Sequence, residues 1–597
     1  MAYESRDEID ERYRWDLSSI YANDEAFLGA LDKAREYPEI LAAYRGKIST
    51  SAEDLLAYLR ASDEVGVELG KLVNYAQRKL DEDTRNATYQ DYSAQVISVY
   101  TDVSSATSWF APEILKLDDE QMERFYASCP DLELYRRALD VVFHQRGHIL
   151  GDAEEQLLAR AQDMAMQPER IFSLFNDADL KFEDATDSDG GTHPVTHGSY
   201  VPLMMSDDRE LRKSAYTSMY AAYEQFRNTA AATLGAQAKQ LKFYTDARKY
   251  ESSLEYCLDQ NEVPTEVYTN LISCVHEHFA PMHKYVDLRK KVLGVDELHF
   301  YDLYVPIVED VDIHFTYEEA CDLILEALAP LGEDYLAVVR EGLSQRWIDV
   351  YETPGKRSGA YSAGGYGMHP VILMNFQGEL DDVFTLIHEM GHSIHTYMSC
   401  KGQPPVYSDY VIFVAEVAST VNEALLTQHL LKTRTDPRER AYILNHFLEQ
   451  FKGTLYRQTM FAEFELAFNE IAARGEGITA ESLSEIYRTL NADYYGPNIV
   501  VDDQIAVEWA RIPHFYYQYY VYQYATGFSA AIALSNRILN EGAPAVTDYL
   551  GFLSGGSSKP PIELLKGAGV DMTTPEPTAA ALAYFDELID ELADALR

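Results

Sequence analysis

Positions 388–392 read His-Glu-Met-Gly-His, within the run Asp381-Asp-Val-Phe-Thr-Leu-Ile-His-Glu-Met-Gly-His-Ser-Ile-His395. No other stretch constrains the fold as strongly, because this one does chemistry only as a helix. At about 100° per residue, histidines four apart share one face, one turn apart, and both imidazoles can reach a single ion. Glu389 points to the side, where it can reach a water instead of the ion. Asp381 and Asp382 are expected to cap this helix and to favour its positive end. With 16 His in the chain, random placement would produce the spacing in only about 3–4% of such sequences.

Two imidazoles do not complete a catalytic zinc site, which needs three protein ligands, and His₂Glu is one established set. After the breaker Lys401-Gly-Gln-Pro-Pro405 an apolar helix is expected over Val411–Thr420, with Glu416 its lone carboxylate. A carboxylate buried there is expensive unless it is paired or binds a cation, which makes Glu416 the candidate third ligand. The alternatives are a solvent-facing Glu416, and Glu423, about 10 Å further along the helix and unable to share the ion with Glu416. Other signals have plainer readings. His276-Glu277-His278 faces two sides of a helix and reads as surface, His395 would be a surplus ligand, and Gly364-Gly-Tyr-Gly367 lacks the context of a nucleotide loop.

Composition narrows the setting. There are 97 Asp and Glu against 50 Lys and Arg, a formal charge of −47 that repels phosphate backbones and argues against nucleic acid. Hydrophobic residues at 47% exclude an intrinsically disordered chain. The five cysteines are scattered, with no C-x-x-C pair, and fit a reducing compartment. Met1 to Leu17 is charged and lacks the apolar core of a secretory signal, and no run approaches the ~20 apolar residues of a membrane span. A cytoplasmic protein with no membrane partner is expected.

Along the chain, helical periodicity runs from Trp15 to about Gln167, from Arg209 to Tyr250, and from Thr265 to Lys291. Asp187 to Thr196, with Asp-Gly-Gly and Pro194, reads as a hairpin or loop between Leu180–Glu183 and Val195–Val201. A small sheet is expected within Gly355–Gly378, where Val371-Ile-Leu-Met-Asn-Phe376 reads as an edge strand able to pair with an extended peptide. At 597 residues, two domains are expected, a helical one over 1–200 and a larger one over 201–597.

Several segments together resemble the oligoendopeptidase F branch of the thimet-like zinc oligopeptidases. They are Trp15-Asp-Leu, Thr196-His-Gly-Ser-Tyr-Val-Pro-Leu203, Gly355-Lys-Arg-Ser-Gly-Ala-Tyr-Ser362, Thr385-Leu-Ile-His-Glu-Met-Gly-His392 and Ala415-Glu-Val-Ala-Ser-Thr420. Downstream come Ala510-Arg-Ile-Pro-His-Phe-Tyr-Tyr-Gln-Tyr-Tyr-Val-Tyr-Gln-Tyr-Ala-Thr-Gly527 and Gly555-Gly-Ser-Ser-Lys-Pro560. The resemblance implies a mainly α, two-lobed zincin-type metallopeptidase with a deep central channel and a small β-sheet beside the zinc helix. It implies one Zn²⁺ per chain held by His388, His392 and Glu416, Glu389 as general base, and internal cleavage of short peptides. It also implies that His514 and two tyrosines after it, Tyr519 and Tyr522, bind the scissile carbonyl and substrate backbone, a role for which a neutral phenol donor is chemically suited. The competing expectations are an exopeptidase, such as a carboxypeptidase, and a peptide-binding protein without turnover.

Overall fold

The computed structural model describes residues 3–308, 311 and 313–597; Met1 and Ala2, the start of the charged N-terminal stretch, lie outside them. The protein is mainly α-helical, with three small sheets among the described residues. None of the described helices is long and apolar enough to cross a membrane. The chain packs as two compact units, each discontinuous in sequence: 1–147 with 313–429 and 534–569, and 148–312 with 430–533 and 570–597. Packing therefore groups the residues differently from a cut at position 200.

In the first unit, the helix Ala52–Glu82 presents Leu55, Leu59, Leu69, Leu72 and Ala76 to a core shared with the helix Ala87–Thr107. Ser51 caps it by accepting the Asp54 N–H at 3.1 Å. Val371 and Leu373, far along the chain, belong to the same core. They lie in a three-stranded sheet in which Val371–Leu373 is the middle strand. Ile348–Asp349 pairs with it in parallel, and Tyr361–Ala363 pairs antiparallel, with Ser362 opposite Ile372. This corrects the sequence reading: Val371–Leu373 is paired on both sides, and the sheet's two edge strands are Ile348–Asp349 and Tyr361–Ala363. The distinction is physical, since a strand buried on both faces reads as continuously apolar, as Val-Ile-Leu does.

In the second unit, Asp208 caps a 39-residue helix, Arg209–Ala247, whose Leu211, Met219, Leu234 and Leu241 are buried. The stretch expected as one helix from Thr265 is two, Thr265–Glu277 and Phe279–Leu293. Pro281 explains the break, because its ring clashes with the carbonyl four residues back, at Glu277. The hairpin near Asp187 is present, but its strands are Ala185–Thr186 and Thr192–His193. Thr196 instead caps the helix His197–Met204 by accepting the Ser199 N–H at 3.0 Å.

A buried carboxylate organises this unit's centre. Glu508, 1% exposed, accepts from Arg457 at 2.8 Å, Tyr487 at 2.6 Å, Tyr220 at 3.0 Å and Arg511 at 3.3 Å. Burial alone would raise its pKa, but Arg457 and Arg511 outweigh burial and lower it to about 2. The folded pKa lies below the unfolded value of about 4.3, so the contribution is complete above that value and lost as pH falls toward 2. Unfolding midpoints measured between pH 6 and 3 should fall more steeply for wild type than for Glu508→Gln, which should be the less stable at pH 7. Parallel curves would show that Glu508 does not carry this dependence.

Candidate active site

The run around His388 forms the helix Leu380–Gly402. Glu379 stands at the N-cap position, so Asp381 and Asp382, expected as caps, lie inside the first turn, and Asp382 reaches back as an anchor. Its Oδ2 accepts the N–H groups of Gln377, Gly378 and Glu379 at 2.8–3.0 Å. After the Pro404-Pro405 break, a 3₁₀ turn at Ile412–Val414 leads into the helix Ala415–Thr433. Glu416 thus sits in the first turn of that helix, where the backbone dipole favours a carboxylate.

Gly391 lets the two helices meet. A Cβ there would lie 2.6 Å from Ser419 Cα and 2.8 Å from both Ala418 O and Ser419 N, all backbone atoms. Asn422 ties the pair further, donating to the Ile387 carbonyl at 3.2 Å and accepting from Tyr335 at 2.8 Å.

The approach gathers three ligand atoms. His388 Nε2 and His392 Nε2 are 3.1 Å apart, and each lies 3.4 Å from Glu416 Oε2. Among the described residues this is the group of three or more His, Cys, Asp or Glu placed to share an ion. Donor atoms ~2.0–2.1 Å from a tetrahedral ion lie about 3.3–3.4 Å apart, so the triangle has the size zinc requires. Glu423 sits on the far side of His388 and accepts from its Nδ1. That bond leaves the Nε2 lone pair facing the ligand triangle, the usual support of a metal-bound imidazole. Glu423 is therefore a support of the first histidine and Glu416 the third ligand candidate. The side chain of Glu416 is 40% exposed, so its burial is less complete than the apolar run suggested.

Glu389 is 8% exposed and shares a pocket of about 460 Å³ with His388, His392, Glu416 and the edge strand Tyr361–Ala363. Burial pushes its pKa up, with Glu416 adding to the rise and His388 and His392 opposing it. A carboxylate raised in this way is better suited to accept a proton near neutral pH. Ser362 Oγ meets Ser393 Oγ of the motif helix at 2.8 Å, which fixes the edge strand over the pocket. His395 is no ligand: it is buried and its ring stacks on Tyr410 at 3.7 Å.

His514 belongs to the second unit, in the turn Pro513–Tyr516. Tyr519 and Tyr522 are 3% and 1% exposed and pack on Tyr268, with ring centroids 5.6 and 5.1 Å away. Around the His514 ring stand Tyr517, Tyr520 and Tyr524, at 5.6, 6.4 and 6.0 Å. The phenols beside His514 are thus Tyr517, Tyr520 and Tyr524, and the two singled out from sequence face inward. Gln518 and Tyr519 both have positive φ, 56° and 60°, and this turn shifts the register of the tyrosines. Neither residue is glycine, so nothing in the sequence signals the turn.

Peptidase family M3 matches residues 202–584, and Oligopeptidase F matches 113–182. The chain belongs to peptidase family M3. Oligopeptidase PepF of Bacillus subtilis is 46% identical over 591 residues, covering 99% of this chain and 88% of that one. Group B oligopeptidase PepB of Streptococcus agalactiae is 40% identical, covering 99% and 98%. Among solved structures, oligoendopeptidase-F from Enterococcus faecium superposes with a TM-score of 0.74 at 38% identity, covering 97% and 99%. A peptidase-family crystal structure from Chlamydophila abortus reaches 0.94 at 37%, covering 99% and 100%. As an M3 peptidase, this protein is an enzyme and a metallopeptidase with the helical oligoendopeptidase F fold.

Proposed function

We propose that this M3 peptidase is a zinc-dependent endopeptidase of short peptides, acting in the cytoplasm. The observation that carries the reading is the triangle of His388, His392 and Glu416 atoms beside a buried Glu389. The names of its relatives, oligopeptidase and oligoendopeptidase, support peptides as substrates. A zinc ion held by those three residues would supply Lewis-acid polarisation of the scissile carbonyl and acidify a water.

The chain's own residues do the rest. Glu389 takes the water proton on its carboxylate and returns it to the departing amine. The edge strand Tyr361–Ala363 offers main-chain N–H and C=O groups to an extended peptide, which makes recognition depend on backbone and leaves sequence preference loose. His514, with Tyr520 and Tyr524 beside it, is assigned to donating hydrogen bonds to the developing oxyanion and the substrate backbone. A division into a helical domain over 1–200 and a catalytic domain over 201–597 remains the proposed functional organisation, and a deep channel the proposed reason folded proteins are spared.

The test is a peptide of about ten residues blocked at both ends, incubated with and without chelator and analysed by mass spectrometry. Internal cleavage that stops on chelation and returns with Zn²⁺ is expected, together with about one zinc per chain by elemental analysis. No cleavage of the blocked peptide, with trimming of a free one, would assign an exopeptidase. Full activity after exhaustive chelation would overturn zinc dependence.

A further inference from the structure

Glu465 lies on the helix Arg457–Ala473 and is 1% exposed. Among the described residues it has no ion-pair partner, and its Oε2 has no hydrogen bond. Its Oε1 accepts one bond, from the backbone N–H of Tyr519 at 2.6 Å. Tyr519 is the second of the two left-handed residues, a conformation in which the Cβ crowds the following carbonyl.

The segment entering this turn is held elsewhere. Gln237 donates to the Tyr516 carbonyl at 2.9 Å, and Phe172 stacks on the Tyr516 ring at 4.5 Å. On leaving the turn the chain enters the helix Tyr522–Glu541. Between these fixed ends two disfavoured residues shift the tyrosine register, and the Glu465 oxygen receives the amide of the second, Tyr519. A carboxyl is a poor choice for packing alone, because burying it without a partner is unfavourable and methionine fills a similar volume.

We propose that Glu465 is a positioning residue for peptide hydrolysis: through the Tyr519 amide it holds Gln518 and Tyr519 left-handed and so keeps Tyr520 and Tyr524 beside His514. This rests on the reading above that the His514 segment meets substrate. Burial pushes the Glu465 pKa up to about 8, so near neutral pH the group offers its acceptor oxygen largely without a buried charge. A glutamine amide oxygen can do the same.

The experiment compares Glu465→Met, Glu465→Gln and Gln518→Pro in the full-length zinc enzyme. Zinc content, thermal midpoint, amide exchange over 516–522, and kcat and KM on a blocked peptide are measured. Glu465→Met should keep its zinc and midpoint, lose protection at the Tyr519 amide, and lower kcat about tenfold or more with a smaller change in KM. Glu465→Gln should restore protection and kcat to near wild type, a rescue that a purely packing role would not give. Gln518 is exposed, so Gln518→Pro leaves the core intact while forcing φ near −65°, and it should reproduce the loss of kcat even if Glu465→Met fails to fold.

Wild-type kcat and exchange in Glu465→Met, or wild-type kcat in Gln518→Pro, would overturn the proposal. His514→Ala separates the two levels of inference. If it and Glu465→Met both leave kcat intact while the Tyr519 amide is deprotected, the segment's role in hydrolysis has failed and the clamp stands as structure only. If His514→Ala lowers kcat and Glu465→Met does not, the positioning role has failed by itself.

Discussion

Glu389→Gln should retain about one zinc per chain and lose turnover by a factor of about 10³–10⁴, at the upper end of what a positioned base contributes. The substitution keeps size and hydrogen bonding while removing the group that accepts the proton, and Glu389 is not among the three atoms that form the ligand triangle. Metal content measured alongside kcat makes the result decisive. His392→Ala should lose both together, because it removes a corner of that triangle. A Glu389→Gln enzyme retaining a substantial share of wild-type kcat with full metal would require another base.

Gly391→Ala is expected to damage the site through geometry instead of chemistry. The added methyl would sit 2.6 Å from Ser419 Cα, and the atoms it meets are backbone of the helix that carries Glu416. Overpacking of this sort costs about 1–3 kcal/mol when side chains must yield, and here a helix must move. Moving it draws Glu416 Oε2 away from both imidazoles, so zinc affinity should fall by about tenfold or more and the thermal midpoint with it. Titration with a competing chelator reads the affinity directly. Unchanged affinity would mean the Ala415–Thr433 helix can retreat without carrying its carboxylate along.

What could be read from the amino acids followed how directly each feature depends on residue identity. His388, Glu389 and His392 are fixed by spacing on a helix, and Glu416 by its isolation in an apolar run. Glu423 was visible as a carboxylate, but its place behind His388 depends on how the two helices cross, which spacing does not encode. The middle strand Val371–Leu373 was legible in principle, since uninterrupted Val-Ile-Leu belongs between neighbours and Tyr361-Ser-Ala, with a hydroxyl mid-strand, at an edge. Pro281 likewise announced a helix break. The tyrosine register was not legible, because two non-glycine residues turn the backbone and their hold, the Glu465 oxygen, lies 54 positions away in the chain.

The composition of the first unit bears on how the protein is made. The three candidate metal ligands lie in 313–429, yet the same unit takes in 534–569, and the helix Ala543–Leu553 packs against the motif helix. Gln403, just past the end of that helix, donates to the Ser554 carbonyl at 2.8 Å, and Phe552 lies 5.4 Å from the His395 ring. A nascent chain on the ribosome therefore carries all three ligands long before their supporting wall has been synthesised. Until residue 569 emerges, the motif helix has an uncovered apolar flank, and contacts of such long sequence separation form late. Release of a chain stopped short of that point would yield a species with every candidate ligand present and the motif helix unsupported on one flank, exposed to aggregation and to the cell's own proteases.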